Sequence, residues 1–99
     1  MDIYQSSSSN PFQTGNGEAS LEHVQLQDPG FDLKVWKHVL VTACDNQDDL
    51  FIGPVGTPDG SGYALPPNES VKVPIDAVSK ITIWSETQAS GELYKWLAV

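Results

Sequence analysis

The chain has no arginine, one cysteine, two histidines and one methionine in 99 residues, and each scarcity closes off a class of function. Affinity for a phosphate backbone comes mainly from Lys and Arg displacing counterions, and base reading leans on arginine forks. With five lysines against thirteen acidic residues and a net charge of −8, no nucleic-acid partner is expected. A lone Cys44 excludes a disulfide within the chain. Inside a strand pattern it reads as a small buried apolar residue, since neither His23 nor His38 has a spacing that makes it the base of a thiol nucleophile. No apolar run approaches the roughly 18 residues of a membrane span, and the first residues carry no basic export segment. The expectation is a soluble protein without membrane contact. The triplet Asn68-Glu69-Ser70 matches a glycosylation acceptor, which means little without secretion.

Enzyme signatures are missing as well. There is no Gly-x-Ser-x-Gly, no phosphate-cradling glycine loop and no His-Glu-x-x-His, so no catalytic activity, cofactor or metal is expected. The acidic group Asp45, Asp48 and Asp49 has the oxygen ligands calcium favours. It lacks the glycine and terminal glutamate of an EF-hand loop, and a polar turn needs Asp and Asn in any case.

What the sequence does contain is short apolar runs broken by turn residues, the mark of an all-β chain. Residues 1–20 stand apart. Ser6-Ser-Ser-Ser9, Asn10-Pro11 and Gly15-Asn-Gly17 cannot bury enough apolar surface to offset the entropy of ordering them. The expected organisation is a flexible N-terminal arm over 1–20 and a small antiparallel β-sandwich or jelly-roll-like domain over 21–99. Ile3, Tyr4 and Phe12 are the arm's large apolar residues and its candidate partner contacts.

A first short strand is expected over Leu21–Leu26, closed by Asp28-Pro29-Gly30. The run Lys34–Cys44 puts Val35, Val39, Val41 and Ala43 on one face and Trp36, His38, Leu40 and Thr42 on the other. Both faces are largely apolar, which places the strand centrally. Asp45–Asp49 reads as a hairpin turn into Leu50-Phe51-Ile52, Gly53–Gly62 as a loop, and Tyr63–Leu65 as a brief extended piece.

Three strands are then expected as a meander over 69–75, 80–85 and 92–99. In the first of them Val71, Val73 and Ile75 alternate with Lys72 and Pro74, and proline cannot donate to a ladder. This strand belongs at an edge, where another chain can extend the sheet, so Val71, Val73 and Ile75 join the candidate partner contacts. Trp84 and Trp96 fall on adjacent strands of the meander and suggest a cross-strand pair. Three tryptophans in so small a domain also admit a carbohydrate-stacking reading, with Trp36 or Tyr63 as the exposed ring.

The stretches Gly53-Pro-Val-Gly56, Gly62-Tyr-Ala-Leu-Pro-Pro-Asn-Glu-Ser-Val-Lys-Val-Pro-Ile-Asp76, Ser79-Lys-Ile-Thr-Ile-Trp84 and Trp96-Leu-Ala-Val99 together resemble small structural proteins of tailed bacteriophages. Phe51-Ile-Gly53 fills that pattern's first strand and Ala77-Val-Ser-Lys-Ile81 its third element. The match runs over roughly residues 35–99 and consists of strand and turn residues, not of chemistry. The resemblance implies a β-sandwich or jelly roll on the virion, used as a capsid decoration (cement) protein or as a neck, tail or fibre component. It also implies the major capsid protein or other virion subunits as partners, and association as a homo-oligomer. The long loop Gly53–Gly62 and the Ser-rich arm depart from the pattern. A free receptor- or carbohydrate-binding module is the alternative.

Overall fold

The computed structural model describes residues 12–31, 33–87 and 91–99. The described residues form an all-β sandwich of eight strands in two four-stranded antiparallel sheets. The strands are β1 (Gln13–Ala19), β2 (Val24–Gln25), β3 (Val39–Ala43), β4 (Leu50–Pro54), β5 (Tyr63–Leu65), β6 (Ser70–Val73), β7 (Ile81–Trp84) and β8 (Glu92–Ala98). The first sheet has the order β1-β8-β3-β6 and the second β2-β7-β4-β5. Each strand of the first half pairs antiparallel with its mirror in the second half: β4 with β5, β3 with β6, β2 with β7 and β1 with β8. A single long hairpin has thus been rolled across two sheets. This is the jelly-roll connectivity and not an immunoglobulin one.

The connectivity corrects three local expectations. The turn after β3 does not close a hairpin, because β3 and β4 lie in different sheets. For the same reason β6, β7 and β8 are not a meander: β7 belongs to the second sheet and its neighbours in sequence to the first. Trp84 and Trp96 are therefore in opposite sheets and form no cross-strand pair. Of the first expected strand, Leu21–Leu26, the two residues of β2 are paired.

Residues 13–19, expected within the flexible arm, are ordered into the first sheet. Gln13–Ala19 is a seven-residue strand in register with β8 from Gln13 opposite Ala98 to Ala19 opposite Glu92. Its inward positions are Gly15, Gly17 and Ala19, and a glycine there leaves room for a large ring opposite. A Cβ on Gly15 would lie 2.6 Å from ring atoms of Trp96, and one on Gly17 2.5 Å from the Tyr94 hydroxyl. The glycines that look like flexible punctuation are the seats of two core aromatics contributed by β8.

The core between the sheets follows period-two alternation. Val39, Val41 and Ala43 of β3, Leu50 and Ile52 of β4, Leu65, Ile81 and Ile83, and Tyr94, Trp96 and Ala98 of β8 are all buried. As expected, β3 is central, held by β8 on one side and β6 on the other. Its other face is not covered: Leu40 and Thr42 remain half-exposed.

Trp84 is wholly buried yet stands outside that core cluster. It lies on the outer face of the second sheet, stacked on His23 with ring centroids 3.9 Å apart and planes 9° from parallel. Its indole N–H donates to Glu86 Oε2 at 3.0 Å, and the same oxygen accepts the Gly60 N–H at 2.8 Å. Asp59 Oδ1 meets His23 Nε2 at 2.5 Å. The long loop Gly53–Gly62 is thereby pinned as a roof over Trp84. Gly62 has no side chain because a Cβ would sit 2.5 Å from the indole.

Candidate functional site

Register fixes what lies at each end of the roll. Gln13, Ala98, Val39 and Val73 are aligned across the four strands of the first sheet. This end, called here the Trp36 end, also receives the segment between β2 and β3. Three consecutive amides, those of Trp36, Lys37 and His38, point at the Val99 carbonyl at 3.0, 2.7 and 3.3 Å. The Val99 N–H returns to the His38 carbonyl at 3.0 Å and the Val35 N–H donates to the Asp76 carbonyl at 3.1 Å. Gln13 Nε2 donates to the Leu33 carbonyl at 3.1 Å, and Gln27 Nε2 donates to both Gln13 Oε1 and the Phe31 carbonyl. The connection is held by the sheet at each of its turns.

On that fixed backbone stand four of the exposed large apolar side chains of the described residues. Phe12 is 66% exposed, Phe31 75%, Leu33 51% and Trp36 56%. The backbone bonds place the four together around the start of β1 and the end of β8. Lys34 Nζ lies 5.3 Å from the centroid of the Trp36 ring, a cation–π contact that steadies the indole. A cluster of large exposed apolar groups, fixed in place and edged by charge, is what a protein-binding surface looks like before its partner arrives.

The sequence-derived contact residues fall in three places. Ile3 and Tyr4 lie outside the described residues. Phe12 belongs to the Trp36 end. Val71 and Val73 are on β6, which is an edge strand of the first sheet as expected, and Ile75 follows it. All three are half-buried and turn inward, lining a cleft of about 350 Å³ with Ile52, Pro54 and Ile81. They close the side of the sandwich as well as edging it. Phe31 and Leu33 escaped the sequence reading because they flank the turn Asp28-Pro29-Gly30, where no alternation marks them.

The tryptophans separate by environment. Trp84 and Trp96 are buried, so no stacking platform is available on either, whereas Trp36 offers one. Tyr63 on β5 is exposed too. Among the described residues no three His, Cys, Asp or Glu side chains gather in a way that would hold a metal ion. Asp45 accepts from Asn68 Nδ2 at 3.2 Å, and the Asp48 N–H donates to the buried Glu92 carboxylate at 3.0 Å. These residues shape the turn between the sheets. Cys44 is half-buried beside that turn with a free thiol.

Two groups have displaced pKa values. The Asp76 carboxyl is held below the usual range by a hydrogen bond from Lys80 Nζ at 2.7 Å and by that cation's charge. Burial pushes the Tyr94 phenol above its usual value. Both are explained by packing or pairing.

No protein-family model, no curated protein and no solved structure matches this chain.

Proposed function

We propose that the chain is a non-enzymatic structural protein of tailed-phage particles, a capsid decoration (cement) protein that binds the outer shell and stabilises it. The observation that carries this reading is the Trp36 end: large apolar side chains gathered on a backbone tied to a packed jelly roll. It is a surface for protein contact more than for small-molecule chemistry. The resemblance to phage structural proteins supports it, because the residues of that pattern fall on β4, β6, β7 and β8 and on the turns between them. The jelly roll supports it too, as an architecture common among capsid domains, though the fold alone does not specify a role.

Stabilisation would act by repetition. One such contact contributes modestly, but copies placed by the symmetry of a shell clamp many neighbouring subunits at once. The partners proposed are the major capsid protein or other virion subunits, with copies of the chain associating around symmetry axes.

The test is the copy number of the chain in purified particles of the phage that encodes it, measured by quantitative mass spectrometry against the major shell protein. Copies comparable to the shell protein are expected. A handful per particle would move the protein to the neck, tail or fibre, and complete absence would overturn the virion reading.

One observation favours a second reading, a receptor- or carbohydrate-binding module: the Trp36 indole is exposed while the other two are buried. Glycan stacking on it would shift tryptophan fluorescence in the wild-type protein and not in Trp36→Phe. No shift across a glycan panel would remove this alternative.

A further inference from the structure

The two sheets present four edge strands, β1 and β6 in the first and β2 and β5 in the second. An uncovered edge is a row of unpaired N–H and carbonyl groups, and proteins ordinarily keep such edges short or blunt them with proline or lysine. Three of the four follow that rule. β2 is two residues long, β5 is three and is followed by Pro66-Pro67, and β6 is four, carries Lys72 and is stopped by Pro74. β1 does not follow it. It runs for seven residues, Gln-Thr-Gly-Asn-Gly-Glu-Ala, with no proline, no lysine and an unbroken register against β8. Among the described residues, no hydrogen bond takes the backbone of Gln13–Ala19 to anything but β8. The sequence pointed to β6 as the edge another chain could extend, whereas the edge the fold leaves long and unblunted is β1.

We propose that β1 pairs antiparallel with β1 of a second copy of this chain, joining the two first sheets into one continuous sheet across a two-fold axis at Asn16. The register follows from the fold. Gly15, Gly17 and Ala19 point into the sandwich and Thr14, Asn16 and Glu18 away from it, so residues that face each other across the junction must be both inward or both outward if the two cores are to lie on the same side of the joined sheet. Overlapping the whole strand with itself under that condition leaves one register. It sets Asn16 opposite Asn16, Thr14 opposite Glu18, Gly15 opposite Gly17 and Gln13 opposite Ala19.

In this register the strand is complementary to itself, which selects a second copy over an unrelated strand. Each Asn16 amide has a donor and an acceptor, so the two bond reciprocally. The Thr14 hydroxyl meets the Glu18 carboxylate, which keeps its bond to the Gly91 N–H, and the facing glycines leave no side chain to clash beneath the junction. Phe12 and Leu21, 66% and 53% exposed just before and just after the strand, are also brought together. Phe12 falls opposite Ser20 of the second copy, beside its Leu21, which thereby joins the apolar cluster at the Trp36 end. Charge does not drive the contact. The charged groups around the junction are Glu18, Lys95 beside Asn16 on β8, Glu22 beyond one end of the strand, and Asp28 next to the Gln27 that bonds Gln13 at the other. Two chains of net charge −8 repel, so backbone bonds and side-chain fit must outweigh that repulsion. The pairing gives the self-association put forward above a surface, and it stands apart from shell binding because the purified chain alone tests it.

The experiment is sedimentation equilibrium of the purified full chain over a wide concentration range. Wild type is expected to show a monomer–dimer equilibrium that shifts toward dimer from about 0.02 M to about 0.3 M salt, as the repulsion is screened. Asn16→Asp sets a carboxylate beside Lys95 within its own sheet and against its counterpart across the axis. It should weaken the dimer by about 3- to 5-fold at low salt, the effect of one like-charge cross-strand pair. Adding Thr14→Glu, which meets Glu18 on both sides of the axis, should bring the loss to about 30-fold or more. Thr14→Lys, opposite the same Glu18, should dimerise at least as well as wild type. These side chains are exposed, so thermal midpoints measured at dilution should stay near that of wild type. Under mild oxidation Asn16→Cys should form a linked dimer and Thr14→Cys should not, since the two copies of residue 14 stand about 13 Å apart along the strands. Hydrogen exchange should show protection over Gln13–Ala19 that grows with concentration while Ser70–Val73 is unchanged. A wild type that stays monomeric at the highest concentration, or a dimer that the Asn16→Asp/Thr14→Glu variant keeps intact, would overturn the proposal. So would linkage through Thr14→Cys in place of Asn16→Cys, or concentration-dependent protection of Ser70–Val73 in place of β1. None of these results bears on whether the chain binds a shell, which the copy number in particles decides separately.

Discussion

Gly15→Ala puts the packing of β1 at risk through a single methyl group, and the sign of its effect is decided by geometry. In an unconstrained strand the change would stabilise, since glycine costs about 0.5–1 kcal/mol relative to alanine through its backbone freedom. Here the new Cβ would lie 2.6 Å from three ring atoms of Trp96, about 1 Å inside an ordinary contact distance. Trp96 is backed by the core between the sheets and is 5% exposed, so the ring has little room to retreat. The edge strand must move outward, straining its register with β8. Overpacking of this kind costs about 1–3 kcal/mol, which outweighs the entropic gain. The net expectation is a loss of about 1–2 kcal/mol, and for a domain of this size each kcal/mol lowers the thermal midpoint by about 4–8 °C. Thermal unfolding followed by near-ultraviolet circular dichroism would measure it, with Asn16→Ala on the outer face as the control. A midpoint equal to or above that of wild type for Gly15→Ala would refute the seating of Trp96 on Gly15 and return residues 13–19 to a free arm.

Three further outcomes are expected. His23→Ala unroofs Trp84 and removes a stacked pair, a loss of about 1 kcal/mol or more in urea unfolding; an unchanged tryptophan emission maximum would show that His23 does not cover that ring. The phenol of Tyr94, raised by burial, loses its proton more readily in the unfolded chain, so the folded state binds more protons above about pH 10 and stability declines as pH rises from there. Titration at 295 nm should find a tyrosine ionising above the ordinary value, and the same titration of Tyr94→Phe should lack it. Asp76 is lowered by Lys80, so its contribution is present above the ordinary Asp value of about 3.9 and is lost as pH falls through the lower folded value. Carboxyl NMR should show that titration move up in Lys80→Met, and no movement would remove the assigned cause.

The fold class was legible because its signal is local. Val39, Val41 and Ala43, or Ile81 and Ile83, alternate with period two, and Pro74 marks β6 as an edge. The route of the chain between sheets was not legible. The Asp45–Asp49 turn has the composition of a hairpin turn, and nothing in it records that Leu50 will face Leu65 in one sheet while Ala43 faces Tyr94 in the other. Pairings such as β1 with β8 join residues some eighty positions apart, and they are decided by core packing.

Gln13–Ala19 was misread for a related reason. A strand normally announces itself by its own apolar residues, whereas this one contributes absent side chains to make space for Trp96 and Tyr94. Three tryptophans likewise look alike in a sequence, and it takes His23 and Gly62, distant in the chain, to bury Trp84 while Trp36 stays exposed. Of the candidate contacts, Phe12 was legible as a large apolar residue in polar surroundings. Phe31 and Leu33 were not, because what makes them a surface is the bonding of their backbone to Gln13 and Gln27.

The measurement that bears most directly on the proposed virion role is a cryo-electron microscopy reconstruction, at a resolution that shows side chains, of the particle on which the proposal places this chain. The proposal predicts a jelly roll seated on the shell by Phe12, Phe31, Leu33 and Trp36. A jelly roll seated by another face, or a particle whose protein density is fully accounted for without this chain, would contradict it.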